Sequence, residues 1–253
     1  MKLEGKIALV TGGAKGLGLV FAEAVAEAGA DVACADIDSD GLERAVKKIE
    51  AVGKKGMAIY CDVSKEEEVK EMMKAVKDAF GRLDILFNNA GIAEETPKLL
   101  HEYATEEWNR ILQVDLQGVF FCAREALKIM VKQRSGKIIN IASVFGLVGS
   151  SGAFPVPAYN AAKGAVVNLT RELGLEYAGM GIQVNAICPG FYRTGLGGGC
   201  DDPEFVRVVN GFVPMGRMEE PEHLKGTAIY LASEASNYMC GQMIVTDGGI
   251  FAK

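Results

Sequence analysis

Seven short stretches of β-branched and apolar residues recur along this 253-residue chain: KIALVTGG, ADVACADID, KGMAIYCDV, LDILFNNAG, GKIINIAS, GIQVNAICPG and QMIVTDGG. Each is closed by turn residues, and helix-forming sequence lies between successive ones. That alternation leaves few options. Strands separated by a crossover of a dozen or more residues pair in parallel, and a parallel sheet needs helices on both faces to bury it. The pattern predicts a single α/β domain over 1–253, with a mostly parallel sheet between two helical layers. No linker, internal repeat or low-complexity block divides it.

The connecting segments carry helical stripes. In SKEEEVKEMMKAVKDAF, Val69, Met72, Met73, Val76 and Phe80 share one face while the charges face water, and Ser64 with Glu67 makes a capping-box pattern. In EEWNRILQVDLQGVFFCAREAL the stripe is Trp108, Ile111, Leu112, Leu116, Val119 and Phe120, with Asp115 inside it. A carboxylate in an apolar stripe is costly unless it is paired, so Asp115 is either a functional anion or a locally capped, neutral group. The segment 193–216 opens with RTGLGGGCDDPE, whose three consecutive glycines make order expensive in backbone entropy; it predicts a mobile substrate loop.

Composition excludes several classes. The net charge of −6 is spread over intermixed signs, which argues against a nucleic-acid partner or a polybasic membrane anchor. No apolar run reaches the length of a membrane span. Six cysteines without CxxC spacing and only two histidines predict reduced thiols and no metal site, with Cys34, Cys61 and Cys188 buried in strands. With no signal-peptide pattern at the N-terminus, the expected location is cytoplasmic.

Two motifs carry chemistry. The first strand runs into TGGAKGLG, followed by a plainly helical segment. Gly12, Gly16 and Gly18 allow a sharp turn and close approach, and the new helix offers free N–H groups to a pyrophosphate. With Lys15 and Leu17, these form the candidate dinucleotide contacts. Asp36, eighteen residues past Gly18 at the end of the second strand, is placed to accept from an adenosine ribose and to repel a 2′-phosphate. Lys15 pulls the other way, but the carboxylate is the more direct determinant, so the expected cofactor is NAD rather than NADP. In PVPAYNAAKGAVV, Tyr159 and Lys163 lie on one helical face, where an ammonium stabilises phenolate and suits a tyrosine to acid/base work. Alone, such a pair is most often chance or packing on a helix, and Ser143 alone is a strand-end serine satisfying a turn.

Together the motifs are specific. TGGAKGLG, CDV (61–63), NNAG (88–91), NIAS (140–143), YNAAK (159–163), CPG (188–190) and DGG (247–249) resemble the short-chain dehydrogenase/reductase family over essentially the whole chain. The resemblance implies a three-layer Rossmann fold with a doubly wound, seven-stranded parallel sheet. It implies a nicotinamide cofactor, a small alcohol or ketone substrate, and a homotetramer or homodimer. It places Asp62 and Val63 at the adenine, Asn89, Ala90 and Gly91 along the cofactor cleft, and Pro189, Gly190, Tyr192 and Thr194 at the nicotinamide end. Tyr159 becomes the acid/base residue; Lys163 assists it and binds the nicotinamide ribose, and Ser143 holds the substrate oxygen.

Two features depart from the family pattern. Asp115 stands where the family usually has asparagine, and is expected to act as an anion coupled to Lys163. The sixteen-residue step from Ser143 to Tyr159 exceeds the commonest spacing, and predicts a bulge forming one pocket wall. Phe145, Leu147, Val148, Phe154, Phe191, Tyr192 and Phe212 are the expected apolar walls, with Arg193 and His101 as polar anchors. The functional expectation is NAD-dependent interconversion of a secondary alcohol and a ketone on a polyol or sugar acid, a lead from gluconate 5-dehydrogenase-like members. The alternatives are a 3-oxoacyl carrier-protein reductase and a non-catalytic dinucleotide sensor. A hydrolase is excluded by the lack of a GxSxG elbow or a histidine triad pattern.

Overall fold

The computed structural model describes residues 1–253 apart from Glu95, Ser151, Ala153 and Lys253. Seven strands, β1 (Ile7–Thr11), β2 (Asp31–Asp36), β3 (Gly56–Tyr60), β4 (Ile85–Asn88), β5 (Gly136–Ile141), β6 (Ile182–Pro189) and β7 (Met243–Thr246), form one sheet in the order 3-2-1-4-5-6-7. Every neighbouring pair is parallel. All seven apolar runs in the sequence are strands, and the sheet is the doubly wound Rossmann type.

Strand alternation sorts the core into two layers. Ala8 and Val10 face one side and Ile7 and Leu9 the other, as a period of two requires. The first side is covered by α1 (Gly16–Glu27), α2 (Ser39–Ala51) and α8 (Lys225–Ala232), with Phe21 stacked on Phe87 at 5.2 Å. The second is covered by α3 (Glu66–Phe80), α5 (Gly118–Gln133) and α6 (Pro157–Tyr177). A buried polar ladder stitches β4, β5 and α6 together: Asn88 Nδ2 donates to Asn140 Oδ1, Asn140 Nδ2 to Thr170 Oγ1, and Thr170 Oγ1 to the Val166 carbonyl.

Four local expectations need correction. The Ser64–Glu67 capping box does not form, because α3 begins at Glu66; Ser64 Oγ instead donates to Asp62, and Glu68 accepts the Asp62 N–H. Cys61 is buried just beyond the end of β3 rather than within it. The stripe around Asp115 is not one continuous face: α4 (Thr105–Leu112) runs into a π turn, Gln113–Gln117, before α5. The wider turn rotates the start of α5, leaving Phe120 44% exposed beneath the Arg124 guanidinium. Finally, the segment 193–216 is only partly loop, since Pro203–Phe212 forms α7, capped by Asp202 accepting from the Glu204 N–H. Pro203 at the start and apolar residues at helical spacing outweigh the glycines that precede them.

Asn140→Ala should cost about 2–3 kcal/mol, since it removes the partner of the buried Asn88 amide and the hydrogen bond donated to Thr170 Oγ1, which keeps only its own bond to the Val166 carbonyl. Guanidinium denaturation would show this as a lower midpoint with an unchanged m-value.

Candidate active site

The sheet reverses its winding between β1 and β4, so a crevice opens at their carboxyl ends. Thr11 clasps the two strands there. Its Oγ1 accepts the Asn89 and Ala90 N–H groups at 3.0 and 3.1 Å, and the Asn89 amide donates to the carbonyls of Thr11 and Gly12. Gly12 turns the chain at φ +64°, and a Cβ on Gly18 would lie 2.0 Å from the Gly12 carbonyl oxygen. Only glycine fits at either position. The N-terminus of α1 has no side-chain cap, and Lys15, which precedes it, is exposed. This leaves the helix's first N–H groups open to an anion, so the turn fits a dinucleotide pyrophosphate.

Other candidate contacts surround this turn. Asp36 ends β2 with Oδ2 accepting the Ala14 N–H at 3.1 Å and Oδ1 accepting from Ile37 and Asp38. Leu17 packs on the core beneath. Asp62 Oδ1 accepts from Ser64, and Val63 lies buried against Gly118. Thr194 comes beside Gly16 from the loop after β6, so opposite walls of the crevice meet there. Gly190 donates its N–H to Thr246, directly after Pro189 at the end of β6, and Tyr192 bridges to Glu219.

Behind the crevice, α6 brings Tyr159 and Lys163 to the end of β5. The Lys163 side chain is 3% exposed; its Nζ donates to the Ile141 carbonyl at 3.1 Å and lies 5.5 Å from the centre of the Tyr159 ring. Asp115, with no exposed surface, is presented by the π turn. Its Oδ1 accepts the Ile92 N–H at 2.8 Å, and its Oδ2 stands 3.1 Å from Lys163 Nζ. Asp115 and Lys163 therefore form a buried ion pair. Gly91 makes room for it, because a Cβ there would come within 3.0 Å of Asp115 Oδ2. Ser143 caps the short turn Val144–Gly146, its Oγ accepting the Phe145 N–H at 3.1 Å. The serine thus serves the turn and still faces the Tyr159 phenol with its own hydroxyl.

The electrostatics depart from the expectation in one respect. Burial alone would push the Lys163 ammonium down, but the Asp115 carboxylate and the Tyr159 phenol outweigh it and hold Lys163 above the ordinary lysine value. Burial lifts Asp115 above the usual carboxylate range, against the opposing pull of Lys163 and the Ile92 N–H. The Tyr159 phenol is not brought down towards neutrality. Burial raises it, Lys163 and Ser143 lower it, and Asp115 and Glu94 push it back up, leaving it above the usual tyrosine value.

The apolar residues expected to wall the pocket largely pack on one another. Phe145, Phe154, Phe191 and Phe212 form a ring cluster with centroid separations of 5.2–6.4 Å, beneath the long connection from β5 to α6. Ser151 and Ala153 of the predicted bulge lie outside the described residues. Arg193 is tied to Glu220 and to the Cys200 carbonyl, and His101 sits in an exposed turn. Three residues not singled out as candidates in the sequence stand close by: Thr11 at the strand clasp, Ile37 beside Asp36 and 63% exposed, and Glu94, which reaches the start of α6 from the segment after β4. An exposed isoleucine immediately after a strand-end carboxylate was the available signal for Ile37. Among the described residues no group of His, Cys, Asp or Glu is arranged to hold a metal, and no helix is long and apolar enough to cross a membrane.

A family model described as Enoyl-(Acyl carrier protein) reductase matches residues 12–251. The chain is 36% identical to the 3-oxoacyl-(acyl-carrier-protein) reductase FabG of Thermotoga maritima, over 99% of both chains. It is 38% identical to the 2-dehydro-3-deoxy-D-gluconate 5-dehydrogenase of Pseudoalteromonas atlantica, over 98% of this chain and 96% of the relative. A solved short-chain type dehydrogenase/reductase from Mycobacterium marinum superposes with a TM-score of 0.94 at 38% identity, covering 100% of this chain and 98% of that one. The chain belongs to the short-chain dehydrogenase/reductase family. It is an oxidoreductase of that family, acting on CH–OH groups with a nicotinamide dinucleotide.

Asp115→Asn should lower stability by about 2–4 kcal/mol near neutral pH, because it strands a buried ammonium. The loss should shrink as pH rises. In the parent, the raised Lys163 value means its contribution is complete below the unfolded lysine value of about 10.4 and fades as pH climbs through the folded one. In the variant, burial drops the folded value below the unfolded one, so stability recovers with pH. Guanidinium denaturation across the neutral to alkaline range would reveal the convergence.

Proposed function

We propose that this protein interconverts a secondary alcohol and a ketone with NAD, on a polyol or sugar acid. The observation that carries the reading is the convergence of Tyr159, the Lys163–Asp115 pair and Ser143 at the crevice that the glycine turn opens onto.

A bound nicotinamide dinucleotide supplies the hydride acceptor in oxidation and the donor in reduction. Gly12, Lys15, Gly16, Leu17 and Gly18 would hold its pyrophosphate, Asp36 its adenosine ribose, and Asp62 and Val63 the adenine, with Ile37 against the base. Asn89, Ala90 and Gly91 would line the cleft, and Pro189, Gly190, Tyr192 and Thr194 would flank the nicotinamide, whose ribose Lys163 would bind. Ser143 donates a hydrogen bond to the substrate oxygen and keeps it in line with the phenol. The Tyr159 oxygen takes the substrate's hydroxyl proton in oxidation and returns it in reduction. Lys163, held charged by Asp115, stabilises the phenolate between those events.

NAD is favoured because Asp36 sets a carboxylate beside the Ala14 N–H, at the lip of the turn, where a 2′-phosphate would be repelled. The substrate class is supported by the activity for which the Pseudoalteromonas relative is named. The FabG relative supports a second reading, reduction of a 3-oxoacyl carrier-protein thioester. A cytoplasmic location and assembly as a homodimer or homotetramer belong to the same proposal.

The direct test monitors NADH appearance across polyols, sugar acids, hydroxysteroids and simple secondary alcohols, together with NADH- and NADPH-dependent reduction of a 3-oxoacyl thioester. Turnover on a polyol or sugar acid, lost by at least about 10³-fold in Tyr159→Phe, is the expected result. Thioester reduction alone would favour the second reading. NADH binding without any turnover would favour a non-catalytic sensor. Oxidation should accelerate with rising pH through the raised tyrosine value, because it needs the phenolate, and reduction should slow over the same range. NADH should bind at least about tenfold more tightly than NADPH, a gap of about 1.4 kcal/mol that Asp36→Ala narrows in a fluorescence titration.

A further inference from the structure

Glu94 comes three residues after the NNAG motif and is 3% exposed. Its Oε1 accepts three hydrogen bonds: from the Tyr103 hydroxyl at 2.6 Å, the Ala158 N–H at 3.0 Å and the Tyr159 N–H at 3.2 Å. The last two are open N–H groups in the first turn of α6, which has no cap from its own N-cap residue, Val156. Glu94 therefore caps the helix that carries Tyr159 and Lys163 from a different part of the chain, and its charge meets the positive end of a 21-residue helix. Its Oε2 is buried with no partner among the described residues. A cap alone needs only an acceptor, which an amide or hydroxyl would supply without burying a charge.

The same short segment makes the other critical contact, since the Ile92 N–H binds Asp115 Oδ1. Residues 92 and 94 thus grip both sides of the acid/base centre at once. One holds the carboxylate paired with Lys163, and the other holds the backbone of Tyr159 itself. We propose that Glu94 is a positioning residue for the acid/base step: it fixes the start of α6 so that the Tyr159 phenol meets the substrate oxygen, and it brings a buried carboxylate to face that phenol. This rests on Tyr159 being the acid/base residue. The charged and hydrogen-bonding groups facing the phenol are Lys163 from α6 itself, Asp115 from the π turn, Ser143 from the end of β5 and Glu94 from the segment after β4. Of these, Lys163 and Ser143 favour the phenolate, and Asp115 and Glu94 oppose it.

The test compares Glu94→Gln, Glu94→Ala and Tyr103→Phe in the full-length protein. Each is characterised by its kcat and KM pH profiles on the alcohol that the parent oxidises, and by ultraviolet titration of tyrosinate with Tyr159→Phe as the reference. Glu94→Gln keeps an acceptor for both N–H groups but removes the charge. It should retain most of kcat while the acid limb of oxidation, and the Tyr159 titration, move at least roughly half a pH unit downwards. Glu94→Ala removes cap and charge together and should lose about 10–100-fold in kcat with the dinucleotide KM little changed. Tyr103→Phe should leave the pH profile in place, because the charge stays. An unmoved profile and titration in Glu94→Gln would overturn the proposal, whether or not Glu94→Ala folds. Full kcat in a folded Glu94→Ala would also overturn it. If Tyr159→Phe keeps full turnover, the acid/base assignment itself fails, a result separate from any seen at Glu94.

Discussion

A lysine ammonium with almost no contact with water sits behind the crevice, and much of the surrounding chain is arranged to keep it there. Burial would drive the proton off Lys163; a carboxylate 3.1 Å away holds it on. That carboxylate must itself be buried and oriented, which the π turn and the Ile92 N–H accomplish. The turn matters because an unbroken α-helix would carry residues 105–133 along one stripe. By widening at Gln113–Gln117 it turns Asp115 inwards and Phe120 outwards. Gly91 belongs to the same arrangement, since a side chain there would press on both partners of the pair.

Sheet order then decides where this pair is used. With β1 and β4 adjacent and their crossovers leaving in opposite directions, their carboxyl ends cannot both be covered by the helices that come after them. The Thr11 clasp keeps the two strand ends in register while leaving the helix N-terminus open. Asp36 serves two purposes at this edge. It satisfies the Ala14 N–H of the turn and the N–H groups of Ile37 and Asp38, so its carboxylate is held in place. A preset acceptor loses little freedom on binding, which favours selectivity.

The sheet could be read from the sequence because parallel strands buried on both faces appear as uninterrupted apolar runs, and the turn residues closing them are chemically distinctive. Asp115 was also legible, since a carboxylate inside an apolar stripe violates the pattern around it. The π turn that presents it was not: the apolar residues on either side keep helical spacing, and only the burial of Asp115 against Lys163 selects the wider turn. Helix α7 was hidden by the glycines before it. The cap from Glu94 was illegible for a different reason. Its partners, Ala158 and Tyr159, lie more than sixty residues away and offer only backbone N–H groups, which no side-chain motif encodes. The four clustered phenylalanines were marked as apolar, but sequence does not say whether such residues line a cavity or fill it.

Seen from the phenol, the site is a balance of charges of both signs rather than a simple lysine–tyrosine pair. One cation lowers the cost of the phenolate, two carboxylates raise it, and burial raises it further. Asparagine at position 115 would remove one of those carboxylates and would also weaken the hold on Lys163, so the two effects of Asp115 on Tyr159 oppose each other. It favours phenolate indirectly by keeping the ammonium charged, and disfavours it directly by its own field. The indirect effect needs contact with Lys163, whereas the direct one acts through the protein over a longer path. A second anion at Glu94 shifts this balance towards the neutral phenol without touching the lysine. In this protein, therefore, Asp115 acts on the ammonium and the phenol together, whereas Glu94 faces the phenol without a contact to the lysine.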